Sequence, residues 1–201
     1  MDYVIIGSGV AGVSAAKEIL AADGQANITL ISKEKQPFYY RPRLIECLSG
    51  EKSVSDIIIH DRDWFVEQGI DLHLDEAVTE VEPEAKQVIT EQESYSYDRL
   101  LLATGASCFV PPIPGRDKEN VFTLRWAEDA GRIYKQAQSS SRAVVVGGRR
   151  RDQCRGQQLP SSLDTNSLLS TVGATRILET DSTSQVLYSA RKFPQYYKKP
   201  R

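Results

Sequence analysis

The 201-residue chain has no long apolar run; nothing in it approaches the roughly 20 residues that a membrane-spanning helix needs. Strand-like residues begin at Tyr3, with no basic segment followed by an apolar one, which predicts no signal peptide. Cysteine is scarce. Cys47, Cys108 and Cys154 are odd in number, widely spaced and without a CxxC pair. That argues against a disulfide framework and fits a reducing, cytoplasmic setting. His60 and His73 make no ligand set with these cysteines, so no metal site is expected, and both histidines are read as surface or strand residues. The net charge is only −2, which supplies no general attraction to nucleic acid or to an anionic membrane.

What is present suits a soluble globular domain: 40% hydrophobic and 26% charged residues, enough for one good core and a small second lobe. The charge is unevenly placed. Residues 149–201 carry ten Lys and Arg against four Asp and Glu, whereas residues 1–148 carry fifteen against twenty-three.

Val4-Ile5-Ile6 is a continuous β-branched run of the kind found in strands covered on both faces. Gly7-Ser8-Gly9-Val10-Ala11-Gly12 follows, and then Val13, Ala16, Ile19 and Leu20 recur at helical spacing. The GxGxxG pattern therefore stands after a strand and opens a helix, the context in which it binds a dinucleotide. Gly7 permits the tight turn, Gly9 lets a pyrophosphate approach the backbone, and Gly12 lets helix and strand pack closely. The helix start offers N–H groups and a positive dipole end to the phosphates. A second strand, Ile28-Thr29-Leu30-Ile31, leads to Glu34, 22 residues after Gly12, where an acid accepts hydrogen bonds from a ribose diol. The βαβ pattern alone does not separate FAD from NAD.

Further along, Pro37-Phe38-Tyr39-Tyr40-Arg41-Pro42-Arg43-Leu44 precedes a helical segment at Asp61–Phe65 and a strand at Ile70–Leu74. Ala77–Val81 and Lys86–Thr90 alternate as a β-hairpin does. Tyr97 to Leu102 then runs into Ala103-Thr104-Gly105-Ala106, with Pro111–Gly115 and Val121–Arg125 beyond. These motifs resemble the FAD-dependent pyridine nucleotide-disulfide oxidoreductases over residues 1–148. The YxRP loop resembles the branch of NADH–rubredoxin reductases and of the nitrite reductase large-subunit flavin portion. The resemblance implies an α/β fold: a Rossmann-like FAD-binding domain with a parallel sheet and a β-hairpin insertion, then the start of a second, uncompleted Rossmann-like NAD(P)H domain. It implies that Gly7, Ser8, Gly9, Val10, Ala11 and Gly12 hold the FAD pyrophosphate and Glu34 the adenosine ribose. A backbone group near Val78 holds the adenine, Arg41 and Pro42 pack near the flavin or its phosphates, and Ala103, Thr104 and Gly105 line the flavin cleft. The implied domains are 1–115 for FAD, 116–148 for the start of the NAD(P)H part, and 149–201 as a divergent basic tail, disordered or irregular.

Disulfide reductases of this superfamily carry a CxxxxC pair on the helix after the second strand. Here that region reads Arg43-Leu44-Ile45-Glu46-Cys47-Leu48, with one cysteine. Two electrons therefore have no disulfide to rest on beside the flavin, and Cys47 is read as a small apolar residue. Glu46 falls where ferredoxin-reductase relatives carry lysine, which favours the rubredoxin or nitrite branch. The implied acceptor is a small rubredoxin-like protein or a nitrite reductase module, with no nucleic-acid or membrane partner.

Glu128 to Ala137 reads as a helix and Arg142 to Val146 as a strand heading for a second GxGxxG. At matching positions the chain has Gly147, Arg149 and Asp152. Arg149 sets a long side chain where a dinucleotide approaches the backbone, and Asp152 sets negative charge near its phosphates. Arg149-Arg150-Arg151 could clamp phosphate, but the polar stretch Gln153–Thr175, with Pro160 in it, has no helical period, which favours a solvated basic stretch. The terminal Phe193, Tyr196 and Tyr197 among lysines are read as a frayed terminus and not as a single-strand binder. The abrupt change at Arg149 predicts a frameshift or truncation. On that reading the chain is an FAD- or ADP-binding module without NAD(P)H turnover, or a marginal fragment with an exposed strand edge.

Overall fold

The computed structural model describes residues 1–140, 142–146 and 184–188. They fall into two compact units, Met1–Arg41 with Val54–Ala106, and Pro42–Ser53 with Ser107–Arg201.

The first unit is built on a four-stranded parallel sheet ordered β3-β2-β1-β7, from β1 (Asp2–Ile6), β2 (Asn27–Ser32), β3 (Ile70–Leu74) and β7 (Arg99–Leu102). β1 pairs with Thr29 on one side of Val4 and with Leu100 on the other. Two helices belong to this unit, α1 (Val10–Ala22) and α3 (Arg62–Glu67). The strand period of two sorts β1 between two cores. Ile5 joins Val13, Ala16, Ile28, Leu30, Phe65 and Ile70. Val4 and Ile6 face the other way, into a cluster with Ile31 and Val88. That second cluster is closed by an antiparallel sheet, β4 (Val78–Glu82), β5 (Gln87–Thr90) and β6 (Ser94–Ser96), in the order β4-β5-β6. Coverage on both faces is why the β1 run is continuously apolar. The expected hairpin is present and gains β6 as a third strand. At its edge β4 carries a bulge: Val78 opposes Thr90 and Glu80 opposes Ile89, which leaves Thr79 as the extra residue.

The chain reverses into α3 through Asp61, whose Oδ1 accepts the Trp64 N–H at 3.0 Å. This is a helix N-cap. His60 stacks on Trp64 with ring centroids 3.8 Å apart. Among the described residues no helix is long and apolar enough to cross a membrane.

The second unit packs α2 (Leu44–Leu48) on α4 (Ala127–Ala137). Ala127, Ala130, Ile133 and Ala137 give α4 a buried stripe at three- and four-residue spacing. Asp129 Oδ2 accepts the Trp126 and Arg125 N–H groups, each at 2.9 Å, and fixes the start of α4. Cys47 is buried, and its thiol donates to the Ser53 carbonyl at 3.4 Å. Glu46 is gripped by Arg43 through two bonds of 2.7 Å and neighboured by Lys52 at 3.6 Å. A three-stranded parallel sheet, ordered β8-β10-β9, joins β8 (Val121–Thr123), β9 (Arg142–Val146) and β10 (Ser184–Tyr188). β10 lies within the 149–201 span. Gly147 lies outside the described residues, as do Arg149, Asp152, Cys154 and all of 149–201 except 184–188.

Candidate functional site

The parallel strands end together, and a cleft of about 380 Å³ opens at their carboxyl ends. Gly7 follows β1, Ser32 closes β2, Thr104 follows β7, and Val78 with Thr79 forms the facing wall. Ligands of open α/β sheets bind at this end of the strands. The sequence reading placed Gly7, Val78 and Thr104 in one site, and the structure brings these three together.

The three motif glycines differ in what they answer to. Gly7 has φ of +114°, a conformation open to glycine, and a Cβ there would collide with the Ala103 carbonyl oxygen. Its N–H donates to Ile31 O at 2.8 Å, which ties the turn to β2. A Cβ on Gly12 would collide with Gly7 O and crowd the Ile5 side chain at 3.3 Å. A Cβ on Gly9 would meet nothing within 4 Å. Gly9 is the N-cap of α1, in extended backbone, and no side chain caps that helix. The protein itself therefore demands glycine at 7 and 12. At 9 it leaves open space over a helix start whose N–H groups need partners. That arrangement fits the pyrophosphate of a dinucleotide.

The other residues fall into two groups. Val10 and Ala11 open α1 and are exposed. Ser8 is buried, and its hydroxyl donates to Ser32 Oγ at 2.9 Å, so its one hydroxyl hydrogen is spent within the protein and the donor it can offer a phosphate is its backbone N–H. Ala103 donates its N–H to Ile6 O at 2.9 Å, and Gly105 has φ of +72°. Pro42 falls in the second unit.

Glu34 lies two residues past β2, outside the lining of the cleft. Its Oε1 accepts Arg41 Nη2 at 2.8 Å, and its Oε2 accepts the Tyr39 hydroxyl at 2.6 Å. Arg41 Nη1 donates to the Tyr39 oxygen at 2.9 Å. Nothing in the composition pointed to Tyr39, which is 5% exposed.

A second polar hub also escaped the sequence reading. The Tyr95 hydroxyl lies 2.8 Å from Glu76 Oε1, 2.8 Å from Glu93 Oε1 and 3.0 Å from His73 Nδ1. The possible metal ligands of His73, Glu76 and Glu93 lie within 4.8 Å of one another, and the phenol oxygen holds the place between them. Burial alone would push the Glu76 carboxyl up. Hydrogen bonds from Thr90, at 2.6 Å, and Tyr95, together with His73, instead hold it below the ordinary carboxylate range. Burial, then Glu93 and Glu76, drive the Tyr95 hydroxyl up, so it remains a donor. Glu76 also gives its N–H to Ser32 O at 3.0 Å, so the hub anchors the segment that leads into Val78.

Residues 1–148 match the family described as pyridine nucleotide-disulphide oxidoreductase. The nitrite reductase [NAD(P)H] of Bacillus subtilis is 39% identical over 149 residues, covering 73% of this chain and 18% of that protein. The NADH-rubredoxin oxidoreductase of Clostridium acetobutylicum is 35% identical over 147 residues, covering 72% of this chain and 38% of that protein. The crystal structure of the Clostridium acetobutylicum enzyme superposes with a TM-score of 0.72 and 29% identity, over 96% of this chain and 53% of that one. The match thus spans 18% to 38% of the length of these curated relatives.

Proposed function

The chain belongs to the pyridine nucleotide-disulphide oxidoreductase family, and on that premise we propose that residues 1–148 are the FAD-binding portion of an NAD(P)H-dependent flavoprotein reductase. Residues 1–115 would make up the FAD part and 116–148 the start of the NAD(P)H part. The observation that carries the reading is the Gly9 gap: open space over the start of α1, at the end of β1, where the protein's own packing does not require glycine.

Bound FAD would accept a hydride from NAD(P)H and pass electrons onward, chemistry that belongs to the cofactor. The chain's own residues bind and orient it. Backbone N–H groups from Gly9 to Gly12 take the pyrophosphate, with Gly7 setting the turn. Glu34 accepts the adenosine ribose hydroxyls. The backbone at Val78, on the edge strand β4 and next to the bulge at Thr79, takes the adenine. Ala103, Thr104 and Gly105 border the flavin, and Arg41 and Pro42 lie toward the flavin or its phosphates. The acceptor is a small redox protein of the rubredoxin kind or a nitrite reductase centre, by analogy with the relatives, and the setting is cytoplasmic.

A second reading is supported by Arg149 and Asp152, which break the second glycine pattern: an FAD- or ADP-binding module that does not turn over NAD(P)H. Anaerobic addition of NADH to the FAD-loaded chain separates the two. Loss of the oxidised-flavin band means that a hydride reaches the flavin within this chain. A band that persists assigns the chain to the second reading.

A further inference from the structure

We propose that Tyr39 is a positioning residue for nucleotide recognition: its hydroxyl holds the Glu34 carboxylate so that one acceptor site on each oxygen remains for the ribose diol. The inference rests on the reading of Glu34 as the ribose acceptor and adds the residue that orients it.

A carboxylate has about four acceptor sites, two on each oxygen. Arg41 Nη2 occupies one on Oε1 at 2.8 Å, and the Tyr39 hydroxyl occupies one on Oε2 at 2.6 Å. The second Arg41 nitrogen is 3.5 Å from Oε2 but only 2.9 Å from the Tyr39 oxygen. Arg41 therefore spends that nitrogen on polarising the phenol, which strengthens the phenol's own bond to Glu34. With the short bonds alone counted, and the 3.5 Å contact from Arg41 Nη1 the one a ligand hydroxyl would displace, one site on each carboxylate oxygen is left, and a cis-diol carries two hydroxyl donors at matching separation. Both fixed partners are donors, so the carboxylate is pinned in plane and in rotation.

The support behind the phenol is rigid. Tyr39 bridges Ile58 across a short antiparallel pairing, Tyr40 N donates to Ile57 O at 2.8 Å, and the Arg41 guanidinium lies 5.0 Å from the Tyr39 ring centroid. Glu34 is held at its backbone as well: its N–H donates to Ser32 Oγ at 3.3 Å, and its carbonyl accepts from Asp75 N at 3.0 Å. Backbone and side chain are thus fixed independently, and the side chain is fixed through Tyr39 and Arg41.

The test measures binding of ADP and of 2′,3′-dideoxy-ADP to the full chain by calorimetry, for wild type, Glu34→Gln and Tyr39→Phe. The ratio of the two affinities reports the diol contact alone. Tyr39→Phe keeps the buried ring and is expected to weaken ADP about five- to tenfold, the size of one ordinary hydrogen bond, because the phenol acts through Glu34 and not on the ligand itself. It leaves the dideoxy ligand within about twofold, so the ratio collapses toward that of Glu34→Gln. Equal loss on both ligands would make Tyr39 merely structural and overturn the inference, as would an unchanged ratio. Tighter ADP binding would mean that the phenol competes with ribose, and would also overturn it. A wild type with no preference for ADP, or with no ADP binding, overturns the ribose role of Glu34 and this inference with it. If Tyr39→Phe does not fold, Arg41→Lys, which keeps the charge but loses the fork that reaches Glu34 and Tyr39 together, must lower the same ratio; if it does not, the inference fails.

Discussion

Alanine at each of the three motif glycines separates what the fold needs from what the ligand needs. At Gly12 the new methyl would run into the Gly7 carbonyl and press on Ile5 Cγ2 at 3.3 Å. Both contacts lie in the packed junction of α1 and β1, where overpacking costs about 1–3 kcal/mol. At Gly7 the methyl would meet the Ala103 carbonyl, with its carbon at 2.8 Å, and would force φ of +114° on an alanine. The backbone term adds about another 1–3 kcal/mol. At Gly9 the methyl would enter empty space, and the backbone, at φ −76° and ψ −177°, is open to any residue. Stability there should stay within about 0.5 kcal/mol of wild type. Binding should follow the reverse order of innocence. Gly9→Ala occupies the room through which the pyrophosphate approaches, and losing a charge-assisted contact of about 1.5–3 kcal/mol weakens ADP or FAD by about ten- to a hundredfold. Thermal melting and calorimetry on the three variants read both axes. Gly9→Ala that binds as wild type would mean the open space is not the phosphate seat. Gly9→Ala that melts as early as Gly12→Ala would mean that the space is not open in solution.

Three other outcomes follow from single contacts. Glu76, held ionised, stabilises the fold fully above the ordinary carboxylate value of 4.5, and that contribution is lost as pH falls below it. In acid melts Glu76→Gln should show a shallower loss of stability than wild type, and an equal slope would refute the Thr90–Tyr95–His73 account. Burial and Lys17 hold the His60 imidazole below its usual 6.5, against Asp61, so its neutral form belongs to the fold and its support is full above 6.5, declining in acid. In a Trp126→Phe background, Trp64 fluorescence should titrate with a midpoint below 6.5 and lose that titration in His60→Ala; a midpoint at or above 6.5 would contradict the contact. Asp61→Ala removes the cap on α3 and should cost about 1 kcal/mol, seen as an earlier melt; no change would mean that the cap is not formed.

The features legible in the sequence are those set by neighbours along the chain. The β1 run, the glycine turn, Glu34 after β2 and the alternating β4–β5 pair each carry a period or a spacing that local sterics impose. What escaped depends on distant partners. Ser8 looks like any variable residue of the turn, and only its meeting with Ser32 turns its hydroxyl inward. Tyr95 and His73 are 22 positions apart and come together because β3 and β6 converge on Glu76. β10 lies in a polar stretch with Val186 and Leu187 as its apolar residues; as a strand it is defined by pairing with β8 and β9, which no local pattern announces. Tyr39 stood inside a quoted motif without a role, because a hydrogen-bonded tyrosine and a packed one read alike.

Retention of FAD against FMN after desalting tests the central claim most directly, since FMN lacks the adenosine that Glu34 and Val78 are assigned to hold. The account predicts that the full chain keeps FAD at close to one flavin per protein and releases FMN. Equal retention of both, or loss of both, would contradict it.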